Sequence, residues 1–376
     1  MPVEFNGSQA HTLGVEEELH IVDAGTGELV PKIEEIMARL PEDLKEALSY
    51  ELFQSVLEIK TPPCATVAEA EGCLRELRSR VGSWTAACGA ALCGAGTHPF
   101  SRYRDQKITE QERYERVIQT LRWVAQREVI FGQHVHVGVH SEEEVIEAHN
   151  RLSEQVPLLL ALSCNSPFWQ GIDTGYESTR VKIFETFPRA GLPPAFPNYE
   201  GFEGYVDLMV AAGAMDDYTF CWWDVRPHSR IGTIELRVLD SQTSLGYAAA
   251  LAALTQCLVA KAISERPKGP YNRELTYENK FRASRHGLDA TFYDAKEGRS
   301  IPAREKTRSL VGELRPVSQD LSCENELSAI LEIIEGGTGS QYQRRIYENS
   351  GDFLDIVAYL IECTRPAIEA PIEDQN

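Results

Sequence analysis

The sequence lacks the features that direct a chain into a membrane or out of the cell. No apolar run approaches the ~20 residues that cross a bilayer, because polar residues interrupt the most apolar stretches, Val156–Cys164 and Ala248–Ile263. The first residues, MPVEFNGSQAHTLG, contain no basic segment followed by an apolar one, so no secretory signal is expected. We therefore expect a cytoplasmic protein that does not bind membranes.

Paired cysteines and positive charge are also scarce. The nine cysteines form no CxxC pair, and no Cys/His pair at zinc-site spacing follows Cys88 and Cys93, so reduced, mostly buried thiols are expected. Lysine and arginine total 37 against 57 acidic residues, which gives a net charge of −20. A field of this sign repels nucleic acid and anionic membranes. It still permits a phosphate ligand where cations or an arginine reverse the field inside a cleft.

The usual phosphate-binding loops are missing too. The sequence contains no Walker A motif, and Gly94-Ala95-Gly96 is not followed by the third glycine of a dinucleotide-binding loop. No serine or cysteine lies in the context of a nucleophile elbow. A bound nucleotide would therefore have to be held by metal ions and arginines.

What is present is the composition of an ordinary globular protein, with 43% hydrophobic and 25% charged residues in 376. Alternating apolar and polar residues predict four strands, at Thr12–Val22, Leu52–Thr61, Gln133–His140 and Ile231–Asp240. Amphipathic helices are expected to begin at the capping-box pairs Thr66/Glu69 and Ser141/Glu144 and to cover Glu110–Glu128. The last third is expected to be mainly helical, with a turn at Gly336–Ser340. These patterns favour a single α+β domain over residues 1–376.

Acidic residues follow one face of the first predicted strand. Glu16 and Glu18 lie two residues apart, which places them roughly 7 Å from each other on that face. A solvated strand face explains any single acidic pair. However, Glu58, His136 and Glu235 also lie in apolar, strand-like segments, and such groups repel one another on one sheet unless cations lie between them. Sites rich in oxygen ligands with an occasional nitrogen suit magnesium or manganese.

Three further features leave alternatives open. His134 and His136 form an HxH pair on a strand, as in zinc hydrolases, although a lone HxH is a weak motif. Glu51 lies seven residues before Glu58, so the two face opposite sides of a regular strand unless a bulge or turn intervenes. Arg237 lies two residues from Glu235 and could contact a phosphate, or it could simply form an ion pair with its acidic neighbours.

Eight segments, taken in order, resemble the type 2 glutamate–cysteine ligase family, the YbdK-like carboxylate–amine ligases. They are Gly14–Glu18, Leu57–Pro63, Gly96–Pro99, Gly132–Gly138, Leu162–Pro167, Thr233–Val238, Glu278–Lys280 and Gly337–Gly339. The resemblance extends from about residue 11 to beyond 340. It implies a glutamine-synthetase-like α+β fold, in which an antiparallel sheet forms a half-open cleft and helices cover its outer face.

The resemblance also implies a reaction and a set of site residues. ATP, with Mg²⁺ or Mn²⁺, would phosphorylate the γ-carboxylate of glutamate, and an amine, with cysteine as the working assignment, would displace phosphate and give γ-glutamylcysteine for glutathione biosynthesis. The metal ligands implied are Glu16, Glu18, Glu51, Glu58, His136 and Glu235. Arg237 and Glu58 are the catalytic candidates, Arg180 and His134 the substrate-binding candidates, and Lys280 and Arg282 the nucleotide-binding candidates.

Three other interpretations remain at this stage. The same chemistry could use a different amine, because no motif above specifies the amine. A relative that has lost activity could bind a nucleotide or metabolite and regulate a partner, although it would not need to keep a complete set of phosphoryl-transfer residues. A zinc hydrolase would gather two or three histidines around one metal. The family resemblance further implies small-molecule partners and is compatible with a homodimer.

Overall fold

A computed structural model describes residues 4–265 and 271–366. In that part of the chain the strands are β1 Leu13–Asp23, β2 Leu48–Tyr50, β3 Val56–Lys60, β4 Ala90–Cys93, β5 Gly132–Gly138, β6 Phe168–Trp169, β7 Ile172–Asp173, β8 Val225–His228, β9 Thr233–Asp240, β10 Thr291–Asp294 and β11 Arg299–Pro302. The helices are α1 Ile33–Arg39, α2 Glu42–Lys45, α3 Val67–Ala87, α4 Glu112–Leu121, α5 Trp123–Gln126, α6 Glu142–Ser163, α7 Arg180–Phe184, α8 Tyr199–Ala211, α9 Leu245–Ser264, α10 Arg273–His286, α11 Ala303–Asp320, α12 Glu324–Gly336, α13 Gly339–Ser350 and α14 Phe353–Thr364.

The centre of the molecule is a seven-stranded antiparallel sheet in the order β2-β3-β1-β5-β9-β8, with β4 paired to the end of β1. Apolar residues of alternate positions, such as Val15 and Leu19 of β1, pack into the main hydrophobic core. Helices α3, α6 and α9 contact the sheet on this side. The opposite face carries the polar positions and borders a cleft. The expected α+β fold, an open antiparallel sheet with helices on its outer face, is therefore confirmed.

The four predicted strands are present as β1, β3, β5 and β9, but the second is shorter than predicted. Residues 54–55 form a turn, so only β3 is a strand within the predicted range Leu52–Thr61. The turn brings β3 back beside β2, which precedes that range, as an antiparallel neighbour. Strand β8 was not predicted, because Pro227 in its centre argues against a strand. The proline is tolerated because β8 is the edge of the sheet, where no further strand needs its missing N–H group.

Both predicted helix starts are confirmed by their caps. The side chain of Thr66 accepts a hydrogen bond from the Glu69 main chain before α3, and Ser141 does the same for Glu144 before α6. The predicted helix Glu110–Glu128 is instead divided into α4 and α5, because Arg122 between them has a positive φ of 53°. The division turns the chain before it enters β5.

Helix α9 is the one segment of the described residues that is long and apolar enough to cross a membrane. Its apolar window is 78% buried inside the protein, and it packs against α3, α6, α11 and α12. The expectation that no apolar segment reaches such a length therefore needs correction for α9. The burial of α9 is that of a core helix, which folding alone explains.

A buried ion pair joins β1 to α3. Glu17 lies on the apolar side of β1 and receives two hydrogen bonds of 2.8 Å from the Arg78 guanidinium. Arg78 also donates to the main-chain oxygens of Gln242 and Thr243. Both side chains are almost completely buried. This contact holds β1 against α3 at Glu17. Its neighbours Glu16 and Glu18 therefore point to the opposite, polar face of the sheet.

Replacing Glu17 by glutamine is expected to lower the free energy of unfolding by about 3–5 kcal/mol, because Arg78 would keep a buried charge without its partner. Urea unfolding measures this change. Glu76→Gln, on the helix that carries Arg78, is the control, since Glu76 is 64% exposed in its ion pair with Arg80 and exposed pairs contribute little. A loss no larger than that of the control would contradict the structural role of the Glu17–Arg78 pair.

Candidate active site

The polar face of the sheet borders a cleft with a volume of about 780 Å³. Because side chains alternate along a strand, residues two apart on β1, β3, β5, β8 and β9 line this cleft together. Strand pairing then places these residues opposite one another, since the partners across the sheet are Glu18 with Glu58, Glu16 with His134, and His136 with Glu235. Residues that are far apart in the sequence therefore converge.

Glu51 joins this group through the turn between β2 and β3. Ser49 of β2 lies opposite Glu58 of β3, and Glu51 follows Ser49 by two residues, so Glu51 and Glu58 share a face. Glu51 and Glu58, seven residues apart, could share a face only if a bulge or turn lay between them, and the turn at residues 54–55 meets this condition. Burial, together with the charge of Glu18, raises the pKa of Glu51 to about 7.

The acidic residues and histidines form three overlapping triads, each with one ligand atom per residue and all ligand atoms within 4.8 Å of one another. The triads are Glu16/His136/Glu235, Glu16/Glu58/His134 and Glu18/Glu51/Glu58. Each contains at most one histidine, and Glu16 and Glu58 are each shared by two triads. Among the described residues, no triad contains two histidines, so the arrangement does not match the zinc site that the HxH pair suggested. Oxygen-rich sites of this kind suit magnesium or manganese.

The electrostatics of the triads also fit divalent cations. Burial raises the pKa of Glu58 well above its ordinary value, and the charges of Glu16, Glu51 and Glu18 raise it further. Ionising Glu58 beside these carboxylates is therefore costly for the protein alone. A cation held between the carboxylates would remove that cost.

The two histidines each direct one nitrogen toward the carboxylates of the triads: His134 Nε2 lies 3.9 Å from Glu18, and His136 Nε2 lies 3.7 Å from Glu16 and 3.8 Å from Glu235. His136 Nδ1 lies 3.1 Å from Thr233 Oγ1 and His134 Nδ1 lies 3.1 Å from Glu16 Oε2, whereas the buried Nε2 atoms of both rings form no hydrogen bond. The contact with Thr233 orients the His136 ring, as outer contacts do for histidines that bind metals. The donor set, with Nε2 atoms that face carboxylates but form no hydrogen bond, therefore fits metal ligation by both histidines.

Two arginines flank Glu235. Arg226 binds Glu235 Oε2 through two nitrogens, at 2.8 and 2.7 Å, and Arg237 donates to Glu235 Oε1 at 2.5 Å. Burial alone would raise the pKa of Glu235, but the charges of Arg226 and Arg237 outweigh it and hold this pKa well below the ordinary value. The ion pair that sequence reasoning considered for Arg237 is present. Arg237 nevertheless lines the cleft, and its buried Nε has no partner.

Sequence reasoning missed Arg226. It lies directly opposite Glu235 on β8, and the proline that follows it concealed the strand. Its spacing of two from His228, which also lines the cleft, was the signal that could have identified it.

Arg180 begins α7 and lines the cleft. Its guanidinium donates to the main-chain oxygens of Arg237 and Val238 at 3.2 Å. Those oxygens are available because two residues of β9 oppose the single residue His134 of β5 at an irregularity of the ladder. The buried Nε of Arg180 has no partner. Binding of a substrate carboxylate by Arg180 remains a prediction, now with a defined position.

A buried polar network supports the start of α7. Asp240 accepts hydrogen bonds from the hydroxyls of Ser166 and Ser178 and from the main chain of Asn165. Ser166 in turn accepts one from the Arg180 main chain. The network fixes Arg180 against β9.

The nucleotide-binding candidates on α10 do not line the cleft. Lys280 is buried, with its Nζ 2.7 Å from Asp224 and 2.8 Å from Glu185. Arg282 binds Glu278 one helical turn away and the main chain of Thr291. The structure therefore places both in ion pairs within the fold, and nucleotide binding by Lys280 and Arg282 stays a prediction.

Comparisons with known proteins identify the family of this chain. The sequence profile of Glutamate-cysteine ligase family 2 matches residues 12–359. A protein of Rubrobacter xylanophilus, provisionally named glutamate–cysteine ligase 2-1, is 72% identical over 371 residues, which cover 98% of this chain and 99% of that protein.

Two solved structures share the fold. Glutamate–cysteine ligase of Francisella tularensis, crystallised in complex with AMP, has a TM-score of 0.73 at 13% identity, over 98% of this chain and 91% of that one. A bifunctional glutathione synthetase of Pasteurella multocida has a TM-score of 0.70 at 13% identity, over 95% of this chain and 52% of that one. With the family profile and the close relative, these findings establish that the chain belongs to glutamate–cysteine ligase family 2 and is an enzyme, a carboxylate–amine ligase of this type.

Proposed function

We propose that this protein is an ATP-dependent ligase that joins the γ-carboxylate of glutamate to an amine, with cysteine as the working assignment, in one catalytic domain. The observation that carries the proposal is the convergence of three carboxylate-rich triads and Arg237 on one face of the sheet. Joining two anions, a triphosphate and a carboxylate, requires a site of this kind, because the reacting groups otherwise repel each other.

The proposed reaction has two steps. A γ-carboxylate oxygen of glutamate attacks the terminal phosphorus of ATP, the bond to the bridging oxygen breaks, and ADP leaves. The nitrogen of the amine then attacks the acyl carbon, phosphate leaves, and the nitrogen loses its proton to give the amide. Divalent cations, held by the residues of the three triads, would neutralise the phosphate and carboxylate charges.

The chain's own residues have separate tasks in this scheme. Arg237 stabilises negative charge on the phosphoryl group during transfer, since it offers guanidinium N–H groups to the cleft in fixed positions. Glu235 holds Arg237 in place, and Arg226 holds Glu235. Arg180 binds a carboxylate of the substrate that does not react. The sheet orients all of these groups before the substrates arrive.

Purified protein with ATP, Mg²⁺ and glutamate is expected to release ADP when a suitable amine is added, with the product identified by its mass. Formation of γ-glutamylcysteine with cysteine supports the full assignment. An amide with another amine keeps the mechanism and replaces the amine. ATP binding without turnover for any amine would contradict the proposal and favour a regulatory relative.

A further inference from the structure

One carboxylate in the cleft belongs to none of the three triads. Glu128 follows α5 and lines the cleft, and the residue is only 9% exposed. Its buried Oε1 atom has no hydrogen-bond partner. A buried carboxylate without a hydrogen bond destabilises the folded protein. A contact that forms only when substrate binds would compensate for this cost.

Arg180 is the charged neighbour that acts most strongly on Glu128. Burial raises the pKa of Glu128 to about 8, and the positive charge of Arg180 is the largest influence in the opposite direction. Arg180 is nevertheless fixed on β9 by its bonds to Arg237 and Val238. Glu128 and Arg180 both line the cleft, and Glu128 Oε1 and Arg180 Nε are each buried without a hydrogen-bond partner.

The neighbours of Glu128 decide which ligand suits it. Arg127 and Arg180 place positive charge near its carboxylate, and Glu18 places negative charge there, so a singly charged cation suits Glu128 better than a divalent metal ion does. A ligand with its own carboxylate for Arg180 and its own cation for Glu128 would be neutral as a whole. The head group of an α-amino acid has that pattern of charge.

We propose that Glu128 and Arg180 together bind the head group of the amino-acid substrate, with its α-ammonium on Glu128 and its α-carboxylate on Arg180. The proposal rests on the proposed function, in which that substrate is glutamate. Because both groups of the head are then occupied, only the side-chain carboxylate is free to reach the metal-binding triads. The pair therefore selects amino acids and directs the reaction to the γ-carboxylate.

The test compares L-glutamate with glutarate, which has both carboxylates and the same chain length but no amino group. Wild-type enzyme is expected to prefer glutamate strongly in kcat/KM for amine-dependent ADP release. In Glu128→Gln, kcat/KM for glutamate is expected to fall by about 100-fold, the size of a charge-assisted hydrogen bond, whereas the value for glutarate changes little. Glu115→Gln, exposed on α4, is the matched control and should keep the wild-type preference.

Equal losses with glutamate and glutarate would overturn the proposal, because they would indicate a role in proton transfer or in the fold. An unchanged preference for glutamate would overturn it as well. If Glu128→Gln does not fold, Glu128→Asp supplies the same comparison. If wild-type enzyme turns over no substrate, the proposed function fails separately, and calorimetric titration with glutamate and glutarate still tests whether Glu128 recognises the amino group.

Discussion

Replacing Glu58 by glutamine is expected to reduce kcat by about 1,000-fold or more. Glu58 is shared by two of the three triads, so the substitution removes one anionic ligand from both. Metal ions contribute several kcal/mol to stabilising the transition state in reactions of this kind, and each ~1.4 kcal/mol corresponds to a factor of ten in rate. Steady-state measurement of ADP release over a range of Mg²⁺ concentrations gives the loss.

The same variant should not lose its fold. Glu16, Glu18 and Glu51 all repel the charge of Glu58, so in the presence of EDTA Glu58→Gln is expected to unfold at the same temperature as the wild type or at a higher one. Glu51→Gln is the comparison variant. Because Glu51 belongs to only one triad, this substitution should reduce kcat less than Glu58→Gln does. Near-normal turnover by Glu58→Gln would contradict its assignment as a shared ligand.

Replacing Arg237 by lysine is expected to reduce kcat by about 100- to 1,000-fold, the effect of removing one oriented donor to a developing negative charge. The guanidinium can pair with Glu235 Oε1 and still present other N–H groups to the cleft. The single ammonium of lysine cannot do both in the same geometry. Single-turnover measurement at saturating ATP separates this loss from weaker binding of ATP.

Arg116→Lys is the control for this substitution, because Arg116 is exposed on α4. Normal turnover by Arg237→Lys would remove Arg237 from the mechanism and leave its ion pair with Glu235 as its only role. A loss confined to the KM for ATP would likewise assign Arg237 to binding and not to phosphoryl transfer.

Strand periodicity made much of the polar face predictable from the sequence. Glu16 and Glu18 share one face of a strand whose other face carries Val15 and Leu19, and the pairs His134/His136 and Glu235/Arg237 alternate with apolar residues. Alternation assigns residues to a face but does not identify which strands pair. The order of the four motif strands in the sheet, and hence the triads, required the structure.

Three features of the structure could not be predicted from the sequence. The burial of Glu17 on the apolar side of β1 was not predictable because a carboxylate is rarely buried, and only Arg78, 61 residues away, explains it. The ion pairs of Lys280 were not predictable because its neighbours in sequence give no sign of Asp224 and Glu185. The sequence pattern predicted one continuous helix ending at Glu128, so it gave no indication that Glu128 lines the cleft. All three depend on contacts between distant segments, which a single sequence does not encode as a pattern.

The central claim is that this cleft activates a carboxylate by transferring a phosphoryl group to it. The most direct test uses glutamate labelled with ¹⁸O in its γ-carboxylate, together with ATP, Mg²⁺ and an accepted amine, followed by mass spectrometry of the released nucleotide and phosphate. Our account predicts ADP and one ¹⁸O atom in each phosphate released. Unlabelled phosphate, or AMP that carries the label together with pyrophosphate, would contradict it.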